Sequence, residues 1–159
     1  MTEIKVSIAD FAVTRGATRL VTIGLGSCVA IALHAREHSA GGLAHILLPH
    51  AALSQHADSP GKFASTAVPH MLLQLRALGA VDGFEARLIG GSSMFTQLLP
   101  HGAVPLGTRN VAAARAACAA AGIPVVAEDT GGGHGRNVFF DVEAGRITVR
   151  SVAIGVVEL

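Results

Sequence analysis

The sequence predicts an α+β protein: a layered, mixed β-sheet fold flanked by helices, formed as a single domain over residues 1–159. Three observations predict it. Short alternating or wholly apolar runs recur along the chain between glycine- and proline-containing turns, as strands do. Only two stretches carry apolar residues at helical spacing. The two kinds of segment are interspersed in mixed order, with about nine strands to two helices, which suits sheets with helices laid against them. A chain of 159 residues is long enough to bury a core without staples.

The elements follow in order. Ile4–Ala9 alternates apolar and polar residues and predicts the first strand. Leu20–Ile23 predicts the second, broken by Gly24. Cys28–Leu33 predicts the third and Leu43–Leu48 the fourth, which Pro49 ends. His50–Gly61 has no period and reads as a loop. Ala67, Val68, Met71, Leu72, Leu75 and Leu78 lie on one helical face. Thr66 would cap that helix, Pro69 would fall in its first turn, and Gly79 would stop it. Ala86–Ile89 predicts a short buried strand, and Gly90-Gly91-Ser92-Ser93 a turn. A second, alanine-rich helix is expected over Val111–Ala121, capped by Asn110 and stopped by Gly122. Strands are then expected at Ile123–Ala127, Val138–Val142, Arg146–Arg150 and Val152–Val157, with a hairpin turn at Glu143-Ala144-Gly145.

Composition narrows the function classes. Mean hydropathy is +0.51 and 14% of residues are charged, so much of the sheet should be covered on both faces. Twelve Lys and Arg against eleven Asp and Glu leave a net charge of +1, and the only aromatics are six Phe. No basic, aromatic-lined surface for nucleic acid is expected. The stretches free of Asp, Glu, Lys and Arg, His38–Ala57 and Leu88–Thr108, are interrupted by His, Ser, Gly and Pro. Neither supplies the ~20 apolar residues of a membrane-spanning helix. The N-terminal MTEIKVSIADF lacks a secretory pattern. Two distant cysteines make no disulfide framework. These features point to a reduced, cytoplasmic setting.

The stretch Thr22–His50 concentrates the possible chemistry. Cys28 follows the turn Gly24-Leu25-Gly26-Ser27, and His45 sits in the next apolar segment after Gly41-Gly42. A thiol at a strand edge, a glycine turn that admits other groups, and an imidazole on a neighbouring strand are the parts of a cysteine nucleophile site. An activated thiol there would titrate below its ordinary value. Each residue also has a plain structural reading. Cys28 is a small core residue, His45 a satisfied imidazole in an apolar strand, and Thr22 a β-branched strand former. Cys118, on the alanine-rich helix, reads as core filling. The eight histidines, at 34, 38, 45, 50, 56, 70, 101 and 134, fall in no zinc pattern and mostly read as solvated loop residues, so no metal is expected. The segment Gly131–Arg136 is glycine-rich but precedes a strand and not a helix. It reads as a flexible loop passing close to other backbone, not as an anion cradle.

Taken together, TIGLGSCVAI, GGLAHILLPH, LIGGSSMF, LGTRNV and GIPVVAEDTGGGHGRNVFFDVEAGRITV, in this order, resemble the CheD family of bacterial chemotaxis, the chemoreceptor glutamine deamidases. The resemblance runs from about Thr22 to Val149. It implies a fold similar to the catalytic domain of cytotoxic necrotising factor toxins. It also implies a nucleophile at Cys28, a histidine base at His45 and an orienting threonine at Thr22. The Gly26-Ser27 turn would expose the Cys28 N–H as oxyanion support. No cofactor or metal is then expected. The implied partners are the cytoplasmic domain of a chemoreceptor (a methyl-accepting chemotaxis protein) and, where one exists, a CheC-type phosphatase. Methylesterase action at the same receptor positions is a plausible second reaction. In KFASTA, residues 62–67, Phe63 and Ser65 stand where the family often has Tyr and Asp, in a region expected to frame the site or a partner surface. Two alternatives remain at this stage. One is a non-catalytic regulatory module that binds receptor or phosphatase. The other is a thiol amidase for small molecules, which the scarcity of aromatic pocket linings disfavours.

Overall fold

The chain changes sheets at the glycine turn that follows Thr22. In the computed structural model, which describes residues 1–50 and 59–159, Thr18–Leu25 (β3) belongs to one five-stranded sheet and Val29–Ala35 (β4) to another. The first sheet has Thr2–Lys5 (β1) parallel to β3. Beyond β3 come Arg136–Asp141 (β8), Arg146–Ser151 (β9) and Gly155–Glu158 (β10), all antiparallel. The second orders Phe11–Arg15 (β2), Ala40–Ile46 (β5), β4, Phe84–Gly90 (β6) and Val125–Thr130 (β7). Two helices, Ala64–Ala77 (α1) and Leu106–Ala120 (α2), cover the outer face of the second sheet. The fold is therefore the expected mixed α+β, with its strands divided between two sheets and both helices on one side.

Alternation along β4 explains the layering. Val29, Ile31 and Leu33 turn towards the helices and pack with Val68, Met71, Leu75 and Cys118. Cys28, Ala30 and Ala32 turn the other way and pack with Leu20, Val138, Phe140 and Ile147 of the first sheet. A strand covered on both faces has no polar face to show, which is why β4 is buried along its whole length.

Several boundaries differ from the sequence expectation, each for a local reason. The first strand ends at Lys5. Ser7 then closes a turn by accepting the Asp10 N–H at 3.1 Å, with Ala9 in the left-handed region at φ 64°. β2, half-buried at a sheet edge, had no counterpart in the sequence reading. That makes ten strands among the described residues. β4 starts one residue after Cys28. α1 begins at Ala64, after Phe63, and Pro69 lies inside it. Thr66 does not cap it; its hydroxyl donates to the Pro60 and Phe63 carbonyls at 2.6 and 3.1 Å. Asn110 does not cap α2 either, since the helix starts after Pro105 and Asn110 is buried within it. β7 is displaced to Val125–Thr130, and the last strand is shortened to Gly155–Glu158 after a turn. His56 and most of the expected loop lie outside the described residues. Pro60–Lys62 forms a 3-10 turn whose Lys62 carbonyl accepts the Leu47 and Leu48 N–H groups. Among the described residues no helix is long and apolar enough to cross a membrane.

Candidate active site

Thr22, Cys28 and His45 converge between the two sheets. In the antiparallel register of β4 and β5, His45 faces Ala30. Cys28 precedes Ala30 by two positions and shares its face, so Cys28 and His45 are diagonal neighbours on that face. Thr22 reaches His45 from the other sheet: its Oγ1 lies 2.6 Å from His45 Nδ1. Thr22 and His45 are 1% and 0% exposed, and Cys28 is 8% exposed.

The hydrogen bonds fix the histidine tautomer. A threonine hydroxyl has one proton. Thr22 donates it to the Val6 carbonyl at 2.7 Å. Its oxygen must then accept from His45, so the proton of the neutral ring sits on Nδ1. Nε2 is left as a bare lone pair, buried and without a partner among the described residues. The main chain of His45 is held as firmly as its ring. Its N–H donates to the Asp10 carbonyl at 2.9 Å, and its carbonyl accepts the Ala9 N–H at 2.9 Å.

Electrostatics set a neutral resting pair. Burial pushes His45 down from its ordinary 6.5 to about 4. Burial also raises the Cys28 thiol, opposed by a hydrogen bond from its own backbone N–H. The expected depression of the thiol is therefore corrected. With no cation beside it among the described residues, desolvation dominates, and the proton rests on sulfur at neutral pH.

The turn before the thiol is gripped from outside. Gly26 and Ser27 are half-buried, and their carbonyls accept from Ser92 N–H at 2.9 Å and from the Asn110 side-chain amide at 3.0 Å. The Cys28 carbonyl accepts the Gly91 N–H at 2.8 Å. Gly90, at φ 110°, passes so close to the Cys28 carbonyl that a Cβ would collide with it. The Gly131–Arg136 segment is pinned, not slack. Gly131 N–H donates to Gly90 and Gly132 accepts from Ser93, both at 2.9 Å. Arg136 donates to the Ser92 hydroxyl at 2.8 Å and pairs with Asp129 at 3.4 Å. Beside Ser27 opens a hollow of about 150 Å³ rimmed by Ser93, Met94, Phe95 and Leu99.

The remaining candidates fall elsewhere. Cys118 is fully buried in the helix-side core, where burial lifts its thiol to about 11. His34 is an exception among the mostly solvated histidines that were expected: it is 1% exposed and bonded through Nε2 to the Val142 carbonyl at 2.9 Å. Phe63 is buried at the start of α1 while Ser65 is exposed. Among the described residues no three His, Cys, Asp or Glu side chains gather in a group that could hold a metal ion. Sequence reasoning missed the Val6 carbonyl and Asn110. The first is a backbone atom with no sequence signature, and the second was hidden by its resemblance to a cap.

Thr22 and His45 are joined across the two stacked sheets, with the buried Cys28 on the same face as His45, in a mixed α+β protein. The family model for CheD chemotactic sensory transduction matches residues 47–151. The "Probable chemoreceptor glutamine deamidase CheD" of Clostridium kluyveri is 40% identical over 158 residues, 99% of this chain and 98% of that protein. Proteins of the same name from Moorella thermoacetica and Clostridium novyi are 42% and 38% identical. They cover 94% and 97% of this chain, and 91% and 96% of their own lengths. The chain belongs to the CheD family.

Proposed function

We propose that this protein is a protein-glutamine deamidase that converts glutamine side chains of a chemoreceptor cytoplasmic domain to glutamate. The observation that carries this reading is the oriented imidazole: His45 offers a bare Nε2 on the face it shares with Cys28 while Thr22 holds Nδ1. Nε2 takes the Cys28 proton as sulfur attacks the carboxamide carbon, and the carbonyl oxygen becomes an oxyanion that accepts the Cys28 N–H. The imidazolium then gives its proton to the departing nitrogen, which leaves as ammonia. A thioester remains. Water, deprotonated by Nε2, attacks it; the carboxylate leaves and the thiol regains its proton. No cofactor takes part in these steps.

The names of the relatives support the receptor as substrate. Exposed Met94 and Phe95 beside the hollow offer apolar contact to a protein surface. The finer reading includes a single CheD-like domain over 1–159 and kinship with the cytotoxic necrotising factor catalytic domain. It also includes a cytoplasmic location, a CheC-type phosphatase as a second partner, and methylesterase action by the same thioester route. The test is incubation with receptor cytoplasmic domains, followed by peptide mapping. Gln-to-Glu conversion that disappears in Cys28→Ala, with binding retained, is the expected result. Receptor binding without conversion by the wild type would make the protein a regulatory binding module instead.

A further inference from the structure

Asn110 is fully buried in α2, and both protons of its amide are in use. One goes to the Ser27 carbonyl at 3.0 Å and the other to the Leu47 carbonyl at 3.1 Å. Its Oδ1 is buried without a partner among the described residues. Turning the amide over would set Oδ1 against two carbonyl acceptors, so the orientation is dictated by what Asn110 holds and not by its own satisfaction. A buried acceptor left unmade is a cost that ordinary packing avoids.

What Asn110 holds is the peptide that carries the Cys28 N–H. No described peptide bond is cis, and a planar trans unit aims its C=O and N–H in opposite directions. Fixing the Ser27 carbonyl against α2 therefore aims the Cys28 N–H away from α2. Cys28 itself packs on the first-sheet side of β4, the face turned away from the helices. Through Leu47, two residues beyond His45, the same amide ties down the end of the strand that carries the base.

We propose that Asn110 is a positioning residue: by clamping the Ser27 and Leu47 carbonyls, it holds the Cys28 N–H as the oxyanion donor of the reaction. The proposal deepens the deamidase reading and rests on it for the natural substrate.

Two reactions of Cys28 separate this role from a merely structural one. Acylation by p-nitrophenyl acetate passes through a tetrahedral oxyanion before p-nitrophenolate leaves. Alkylation by iodoacetamide displaces iodide at a saturated carbon and forms no oxyanion. In Asn110→Ala the acylation rate constant should fall by a factor on the order of 10², the loss that follows removal of one oxyanion donor, while alkylation stays close to wild type. Asn110→Asp, of the same shape but with nothing to donate, should behave alike; where its buried charge prevents folding, Asn110→Ala and Asn110→Ser carry the test. Equal losses in both reactions, or no loss in either, overturn the proposal. Receptor deamidation runs in parallel. A wild type that converts no receptor glutamine, yet shows the Asn110-dependent acylation, removes the substrate reading and leaves this one standing. Conversion by Asn110→Ala at the wild-type kcat removes this one and leaves the other.

Discussion

The direction of one proton decides how Thr22 acts. Because the hydroxyl donates to Val6, it can only accept from His45, and it holds the ring in the tautomer a general base needs. Thr22→Ser keeps the hydroxyl and should retain most deamidation. Thr22→Val keeps the branched shape, leaves the Val6 carbonyl and His45 Nδ1 without their partner, and should lower kcat at least tenfold. Nitrogen NMR of the wild-type imidazole should show protonated Nδ1 and bare Nε2; the opposite tautomer would refute the relay. Cys28 and His45 were legible as candidates from the residues around them, and Thr22 only through the family resemblance. Asn110 was legible only as a polar residue near a helix start, where Asn favours caps. Its tertiary role overrode that preference because two carbonyls from distant strands needed a donor.

At the scale of elements, the site depends on how closely three backbone segments approach. Gly107, in the first turn of α2, faces the Gly91 and Ser92 carbonyls so tightly that an added Cβ would run into both. Ser92 N–H in turn holds Gly26. Gly107→Ala should therefore push α2 away from the turn, cost about 1–3 kcal/mol by overpacking, and lower Cys28 acylation as well. Thermal unfolding and acylation together check this; a stable variant with a normal rate would show that the contact is dispensable. Periodicity revealed the core face of α1 except for Leu78, which is exposed, and it revealed most strands. It did not reveal β2, because an edge strand that is half-buried along most of its length shows little contrast between its faces. Nor could it reveal the start of α2, which no side chain caps and where Gly107 lies tight against Gly91.

For the whole molecule, burying an imidazole between sheets ties stability to pH. The unfolded chain binds a proton at His45 near 6.5, the folded protein only near 4. Between those values the unfolded state holds more protons, so stability is complete above 6.5 and falls as pH drops towards 4. His45 alone contributes up to ~3 kcal/mol across that window, and burial drives His34 in the same direction. Urea unfolding at several pH values should show the loss, and His45→Gln should flatten it; an unchanged slope would assign the effect elsewhere. The sequence indicated apolar strands with helices against them, but not the division into two sheets. Strand patterns say which residues face inward, not which sheet a strand joins.

That division also sets when the thiol becomes competent. Thr22, Cys28 and His45 all precede β8 by a long stretch of chain, yet β3, which carries Thr22, has β8 as its antiparallel partner, with Thr22 opposite Val138. The sheet that presents the threonine cannot close until β8 has been synthesised, since pairings distant in sequence form late. A growing chain thus carries the Cys28 thiol without Thr22 fixed against His45 until β8 has joined the sheet.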